Sequence, residues 1–125
     1  MKDITYDIIA CACEVHSTLG PGLLESVYQK ALIHELKLRG FKVSSEVAID
    51  LLYKGVCVGD GLRADIIVND YVVIELKSVE SVLPVHHKQL LTYLRLLNLP
   101  IGLLINFNTS LLKDGITRIV NNFSD

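Results

Sequence analysis

The order of its periodic segments predicts that this chain adopts an α/β fold, in which helices flank a mixed central β-sheet. Apolar residues recur every three to four positions over residues 3–19, about 23–39 and 84–98, which predicts three helices. Alternating or continuously apolar segments before and after the last of these predict strands. The predicted order is helix, helix, three strands, helix, two strands, in a single domain covering residues 1–125.

Each predicted helix has an apolar stripe and residues that start or stop it. The stripe of the first helix comprises Ile4, Ile8, Ala12, Val15 and Leu19. The stripe expected to face the core from the second helix comprises Leu24, Val27, Ala31 and Leu38. The stripe of the third helix comprises Leu90, Leu91, Leu94 and Leu97. Gly20-Pro21-Gly22 separates the first two helices, Gly40 ends the second, and Pro84 suits the first turn of the third.

The first strand is predicted from a clean alternation of apolar and polar residues over residues 41–50. We expect this strand to continue to Tyr53 and then to turn at Lys54-Gly55. The chain is expected to resume a strand at residues 56–58, and Gly59-Asp60-Gly61 is interpreted as a bend or bulge.

The last two strands follow the third helix. The continuous apolar run over residues 101–107 predicts a strand that is covered on both faces. Residues 113–115 are interpreted as a turn, and residues 116–120 as a short final strand. The predicted sheet therefore ends with two strands that come from the end of the chain.

Three charged residues interrupt the otherwise apolar hairpin predicted over residues 63–77, namely Asp65, Glu75 and Lys77. Burying an ionised group without a partner is costly, so these charges need an explanation. Two carboxylates and an ammonium group at one place can hold a divalent metal ion and activate a water molecule. A buried structural ion-pair cluster explains the same residues, and the residues alone do not decide between these two interpretations.

The length of the hairpin loop decides whether the two carboxylates can share a site. A two-residue loop at Asn69-Asp70 would set Ala64 opposite Glu75 and turn Asp65 to the other face of the sheet. A three-residue loop over residues 69–71 would set Asp65 directly opposite Glu75. A shared site therefore requires the three-residue loop, or a β-bulge that resets the register.

Two further groups of residues lie on helices that could reach this hairpin. Gly22, Glu25 and Tyr28 follow each other at three-residue steps at the start of the second helix. From the residues alone, Glu25 is interpreted as a favourable first-turn carboxylate and Tyr28 as an aromatic residue at the edge of the core. On the third helix, a stripe that could overhang the hairpin is formed by His86, Gln89 and Tyr93.

The composition restricts the classes of function. Half of the 125 residues are apolar and 21% are charged, which excludes a disordered chain and favours a buried face between two copies. The net charge of −2 excludes a global basic field, so binding of nucleic acid would require a local basic patch or metal ions.

The cellular compartment is predicted from three features of the sequence. No apolar run is long enough to span a bilayer, and Asp7 and Glu14 interrupt any signal-peptide core, so no membrane partner is expected. The three cysteines, Cys11, Cys13 and Cys57, lack the spacing of a metal site. We expect free thiols in a cytoplasmic protein.

Five motifs, taken in order, resemble the GxxExxY proteins, which are placed in the PD-(D/E)XK nuclease superfamily. These motifs are Gly22-Leu23-Leu24-Glu25-Ser26-Val27-Tyr28, Arg63-Ala64-Asp65, Glu75-Leu76-Lys77, Gln89-Leu90-Leu91-Thr92-Tyr93-Leu94, and Gly102-Leu103-Leu104-Ile105-Asn106-Phe107 with Asp114-Gly115-Ile116. The resemblance covers nearly the whole chain and implies a restriction-endonuclease-like core. One departure is that Ala64 stands where the superfamily has a nominal proline.

The resemblance implies a role for each matching residue. The implied ligands of Mg²⁺ or Mn²⁺ are the carboxylates of Asp65 and Glu75 and the carbonyl oxygen of Leu76. The implied catalytic residues are Lys77, Glu25 and Gln89, and we expect Lys77 to stabilise charge rather than to act as a general base. The residues expected to contact nucleic acid are Arg63, Lys88, Arg95 and Tyr28.

The function expected from the resemblance is metal-dependent hydrolysis of phosphodiester bonds in DNA or RNA, with DNA favoured. An alternative is a catalytically silent module that keeps the nuclease fold and binds nucleic acid or protein. A third interpretation is a small homo-oligomeric structural protein, in which the charges only fix the hairpin and a homodimer forms.

Overall fold

The computed structural model describes residues 3–122. The helices in this part of the chain are α1 (Thr5–Leu19), α2 (Glu25–Leu38) and α3 (Pro84–Leu97), and a short 3-10 helix covers Leu112–Gly115. The strands are β1 (Val43–Ala48), β2 (Leu52–Tyr53), β3 (Val56–Cys57), β4 (Arg63–Val68), β5 (Val72–Lys77), β6 (Ile101–Asn106) and β7 (Ile116–Val120).

The main sheet has five strands in the order β1-β4-β5-β6-β7. Strands β5 and β6 are parallel and are connected through α3, whereas the other neighbouring strands are antiparallel. Helices α1 and α2 pack on one face of the sheet and α3 packs on the other. The predicted mixed sheet flanked by helices is therefore confirmed.

Helix α3 lies close to the sheet because β6 carries a glycine beneath it. A Cβ atom at Gly102 would lie 3.0 Å from the side chain of Leu90, so a larger residue would push the helix outward. Leu90 and Leu94 are fully buried, as predicted, whereas Leu91 and Leu97 are half-buried. Close packing of α3 fixes the distance between its side chains and the strands below.

The prediction of one long strand up to Tyr53 is wrong. Strand β1 ends at Ala48, which pairs with Arg63 at the very start of β4, so the next residues have no partner in the main sheet. They pair instead with the chain that follows the turn at Lys54-Gly55, and β2 and β3 form a separate two-stranded sheet. This small hairpin leaves Leu52 exposed.

The predicted buried stripe of α2 is also wrong. The buried residues are Tyr28, Leu32 and Leu36, whereas 73% of Leu24 and 67% of Leu38 is exposed. The aromatic ring of Tyr28 sets the rotation of the helix, because it stacks on Phe107 of the core with 4.4 Å between the ring centroids. Both stripes contain apolar residues at helical spacing, so periodicity alone did not distinguish them.

Two smaller expectations can be checked against the same structure. The three cysteines have free thiols, as predicted, and burial raises the pKa of the Cys11 thiol. Among residues 3–122, no helix combines the length and the apolar content needed to cross a membrane.

The rotation of α2 can be tested by truncating one leucine from each stripe. We expect Leu36→Ala to lower the free energy of unfolding by about 2–5 kcal/mol, because it leaves a cavity in the core. Leu24→Ala should change it by less than about 0.5 kcal/mol, because that side chain is mostly in solvent. Urea denaturation of the two variants measures both values, and a larger loss from Leu24→Ala would contradict this placement of the helix.

Candidate active site

The turn between β4 and β5 sets the register that the two carboxylates need. Asn69 and Asp70 have φ values of 54° and 51°, the left-handed conformation that a type I′ turn requires at both central positions. Tyr71 is added after this turn, and Val68 pairs with Val72. The loop between paired residues thus has three residues, and the register predicted to place Asp65 and Glu75 opposite each other is confirmed.

The carboxylates of Asp65 and Glu75 bridge the two strands. The amide of Asp65 donates to Oε1 of Glu75 at 3.1 Å, and the amide of Leu76 donates to Oδ2 of Asp65 at 2.8 Å. The paired backbone positions of β4 and β5 end one step earlier, at Ile66 opposite Ile74. Side-chain oxygens therefore accept the inter-strand bonds at the position where backbone carbonyls otherwise would.

Alternation along β5 determines which helices these side chains face. Val73 packs with the core on the α3 side of the sheet, whereas Ile74 and Leu76 pack with the core on the α1 and α2 side. Glu75 and Lys77 share the face of Val73 and are directed towards α3. The carboxylate pair thus lies beneath the helix that carries Gln89.

Burial makes the charged form of this pair costly. Only 7% of Glu75 is exposed, and burial together with the neighbouring Asp65 charge raises the pKa of Glu75 to about 8. Burial also raises the pKa of Asp65, and the charges of Glu46 and Glu25 add to this effect. Among residues 3–122, no lysine or arginine lies within 4.0 Å of either carboxylate. The pair therefore has no positively charged partner at ion-pair distance within the described chain.

Glu25 reaches this region because the loop before α2 is held in place. The hydroxyl of Tyr28 donates to the carbonyl of Gly20 and accepts from the amide of Leu23 at 3.1 Å. The hydroxyl of Ser78, just after β5, donates to the carbonyl of Leu23 at 2.6 Å. Glu25 follows as the first residue of α2, exposed, and its charge acts on Asp65.

The expected contact between Tyr28 and nucleic acid is not supported by the structure. The side chain of Tyr28 has no exposed surface, its ring stacks on Phe107, and its hydroxyl is used by the loop. Its position three residues after Glu25 reflects a role in anchoring the loop that presents that carboxylate. The interpretation of Tyr28 as a residue of the core fits its observed burial.

Two residues that the sequence did not single out join the site from α2 and β1. The side-chain amide of Gln29 donates to Oε2 of Glu46 at 2.8 Å and to the backbone carbonyl of Asp65 at 3.1 Å. Glu46 has a φ of 50°, in the part of β1 that lies beside Asp65. Gln29 stands one helical turn after Glu25, a spacing that could have indicated it. The left-handed backbone of Glu46 had no signal in its alternating segment.

A buried asparagine holds the chain that leaves the site. Asn106 pairs with Lys77 across β5 and β6, and its side chain exchanges two hydrogen bonds with the backbone of Val79, at 2.9 and 3.1 Å. The amide of Phe107 donates to the carbonyl of Lys77 at 2.9 Å. A single polar residue in the apolar run before Phe107 was the available signal for this role.

A cavity of about 650 Å³ adjoins the carboxylate pair under α3. Its wall includes Lys77 from the hairpin and His86, Lys88, Gln89 and Tyr93 from α3. The side-chain amide of Gln89 donates to the hydroxyl of Tyr93 at 3.2 Å. Burial and the nearby carboxylates raise the pKa of Tyr93, which places its hydroxyl near the charged pair. The prediction that this stripe of α3 overhangs the hairpin is confirmed.

The remaining predicted residues are distributed around this cavity. Arg63 is exposed at the start of β4, two residues before Asp65, and Lys88 is exposed in the cavity wall. Arg95 is exposed on α3 and does not line the cavity. Leu76 contributes its amide to Asp65, and a role of its carbonyl oxygen as a metal ligand stays a prediction.

The donor set fits Mg²⁺ better than a fully protein-bound metal. Within residues 3–122, no three His, Cys, Asp or Glu side chains are grouped closely enough to hold a metal ion together. Mg²⁺ is commonly held by one or two carboxylates, with water and substrate phosphates completing its shell. Two buried carboxylates with oxygen donors and no cationic partner suit that kind of binding.

The sheet, the crossover helix and the opposed Asp65 and Glu75 with Lys77 define a restriction-endonuclease-like domain. Residues 2–119 match the family model described as the PD-(D/E)XK nuclease superfamily, and the chain belongs to that superfamily. A search of curated proteins and a search of solved structures each found no match. The finer resemblance to GxxExxY proteins stays a prediction.

The raised pKa of Glu75 predicts how stability depends on pH when no divalent ion is present. Glu75 binds its proton more tightly when folded, with a pKa of about 8, than in an unfolded chain, where the value is 4.5. Its stabilising contribution is complete below the unfolded value and is lost as pH rises through about 8.

Urea denaturation in EDTA between about pH 5 and about pH 9 measures this effect. The free energy of unfolding of the wild type should fall across this range, and Glu75→Gln should remove most of the fall. Glu80→Gln, at an exposed position after β5, is the matched control and should behave like the wild type. Equal pH profiles for wild type and Glu75→Gln would show that the environment of Glu75 is not as described.

Proposed function

We propose that this protein is a metal-dependent nuclease that hydrolyses phosphodiester bonds in DNA or RNA, using Mg²⁺ or Mn²⁺. The observation that carries the proposal is the buried, hydrogen-bonded pair of Asp65 and Glu75, which has no cationic partner within the described residues. Membership of a nuclease superfamily supports the same conclusion. A structural ion-pair cluster would instead need a lysine or arginine within bonding distance of the pair.

The residues that would hold the metal ion are Asp65 and Glu75, with the Leu76 carbonyl as a further oxygen ligand. A bound Mg²⁺ supplies positive charge that offsets the negative charge of the substrate phosphate. Glu25, exposed at the start of α2, can accept a hydrogen bond from the attacking water and orient it.

Lys77 and Gln89 act on the substrate from the cavity side. Lys77 follows Glu75 on the same face of β5 and lines the cavity, so its ammonium group can contact the scissile phosphate and stabilise its developing charge. Gln89 is oriented by its hydrogen bond to Tyr93, which leaves its carbonyl oxygen able to accept a bond from water. Arg63 and Lys88 flank the pair and can bind neighbouring phosphates, with Arg95 further along α3.

A catalytically silent nuclease-fold module is the second candidate. The observation in its favour is that only two carboxylates converge closely among the described residues, without a third protein ligand from a His, Cys, Asp or Glu side chain. Such a module would bind nucleic acid in the same cavity without turnover.

A cleavage assay separates the two candidates. Purified protein is incubated with Mg²⁺ or Mn²⁺ and labelled single- and double-stranded DNA and RNA. We expect cleavage that EDTA abolishes and that Asp65→Asn, Glu75→Gln and Lys77→Met each lower at least about 100-fold, since each removes charge at the reacting phosphate. Glu80→Gln should cleave like the wild type.

Circular dichroism checks that each variant retains the fold. Cleavage that persists in EDTA or in Glu75→Gln would contradict the assignment. Binding of nucleic acid without cleavage under any of these conditions would favour the silent module.

A further inference from the structure

The cavity beside the carboxylate pair has walls of two kinds. Leu51 and Leu62, which flank the small β2–β3 hairpin, line one side, and Val85 and Leu96 of α3 line another. These aliphatic side chains form an apolar surface in contact with solvent. Their purpose is not explained by hydrolysis of a phosphodiester bond, which requires only charged and polar groups.

The charged groups of the cavity are all basic. Lys77 and Lys88 line it together with His86, and no aspartate or glutamate of the described chain does so. This local positive charge occurs in a protein of net charge −2, so it is a feature of the cavity and not of the whole surface. A ligand for this cavity therefore combines an apolar face with an anionic group.

A nucleotide meets both requirements only when its base is unpaired. In a duplex the base faces are stacked inside the helix, so a duplex could reach the lysines with its phosphates but could not cover the aliphatic walls. Proteins that bind single strands pair a basic groove with surfaces that receive the faces of the bases. The volume of about 650 Å³ lies within the range of roughly 300–1,000 Å³ found for ligand pockets.

We propose that this cavity binds an unpaired nucleobase next to the phosphate held at Lys77, so that the protein acts on single-stranded nucleic acid. The base lies against the aliphatic walls, and Gln89 and Thr92 offer hydrogen bonds to its edge. This inference names the substrate class of the proposed nuclease and rests on that function for the outcome of binding. Binding of the base itself needs neither metal nor hydrolysis.

Binding in EDTA tests the inference without turnover. Fluorescence anisotropy compares a short labelled DNA single strand, the same strand with abasic sites, its duplex, and the RNA strand of the same sequence. The wild type should bind the base-bearing single strand at least roughly tenfold more tightly than the abasic strand or the duplex. Base-dependent binding of DNA or of RNA supports the proposal and identifies the preferred sugar.

A single substitution in the wall locates the base. Val85→Glu places a charge in the cavity, and the position is 60% exposed in the first turn of α3, where an acidic residue favours the helix. It should reduce the affinity ratio of base-bearing to abasic strand to near one, because a charge against the base is costly. Repulsion of phosphates alone would lower both affinities and leave the ratio unchanged.

Two further variants complete the design. Val120→Glu, at a 45% exposed position on β7, adds the same charge elsewhere and should keep the wild-type ratio. Val85→Asn provides an uncharged variant at the same position, with the same expected direction. An equal affinity of wild type for base-bearing and abasic strands, or an unchanged ratio in both Val85 variants, would overturn the proposal.

Failure of the inference is distinguishable from failure of the proposed function. Base-dependent binding in EDTA, together with no cleavage of any substrate, would uphold the cavity assignment and reject the nuclease. Metal-dependent cleavage of duplex and abasic DNA as fast as of the base-bearing single strand would uphold the nuclease and reject the cavity assignment.

Discussion

Two carboxylates, of Asp65 and Glu75, are held between β4 and β5 by backbone amides, and the rest of the site is arranged around them. Each carboxylate accepts a hydrogen bond from an amide of the facing strand, at 3.1 and 2.8 Å. This arrangement depends on a loop of three residues, in which Asn69 and Asp70 adopt left-handed backbone conformations. With one residue fewer, the side chain of Asp65 would lie on the opposite face.

Such a pair is stable only because its neighbours fix it from several sides. Gln29 bonds to the carbonyl of Asp65 from α2, and Asn106 holds the chain after Lys77 from β6. Ser78 ties the same segment to the loop before α2, which presents Glu25. Backbone amides offset part of the cost of burying the carboxylates, but the raised pKa of Glu75 shows that repulsion and burial outweigh them. A bound cation would relieve this repulsion, which links the stability of the pair to its proposed chemistry.

The sequence predicted those parts of the structure that short-range rules determine. The register of the hairpin followed from counting loop residues, and the overhang of Gln89 and Tyr93 followed from helical spacing. The order of helices and strands followed from periodicity, because each long segment has a single strong period.

Long-range packing decided the rest, and no local pattern reports it. Helix α2 has two apolar stripes, and stacking of Tyr28 on Phe107 selects one of them. Glu46 lies in a segment that alternates cleanly, yet its φ of 50° departs from strand geometry where Gln29 and Asp65 approach it. Strand β1 ends early because its partner β4 begins only at Arg63. In each case the deciding contact joins residues that are far apart in the chain.

Calorimetric titration with Mg²⁺ and Mn²⁺ tests most directly the claim that this pair is a site for a divalent cation. The comparison is between the wild type, the double variant Asp65→Asn/Glu75→Gln and the Glu80→Gln control, at a pH above 8 so that Glu75 is ionised. We predict saturable binding to the wild type and to the control, and its loss in the double variant. Absence of binding to the wild type, or equal binding to the double variant, would contradict the claim.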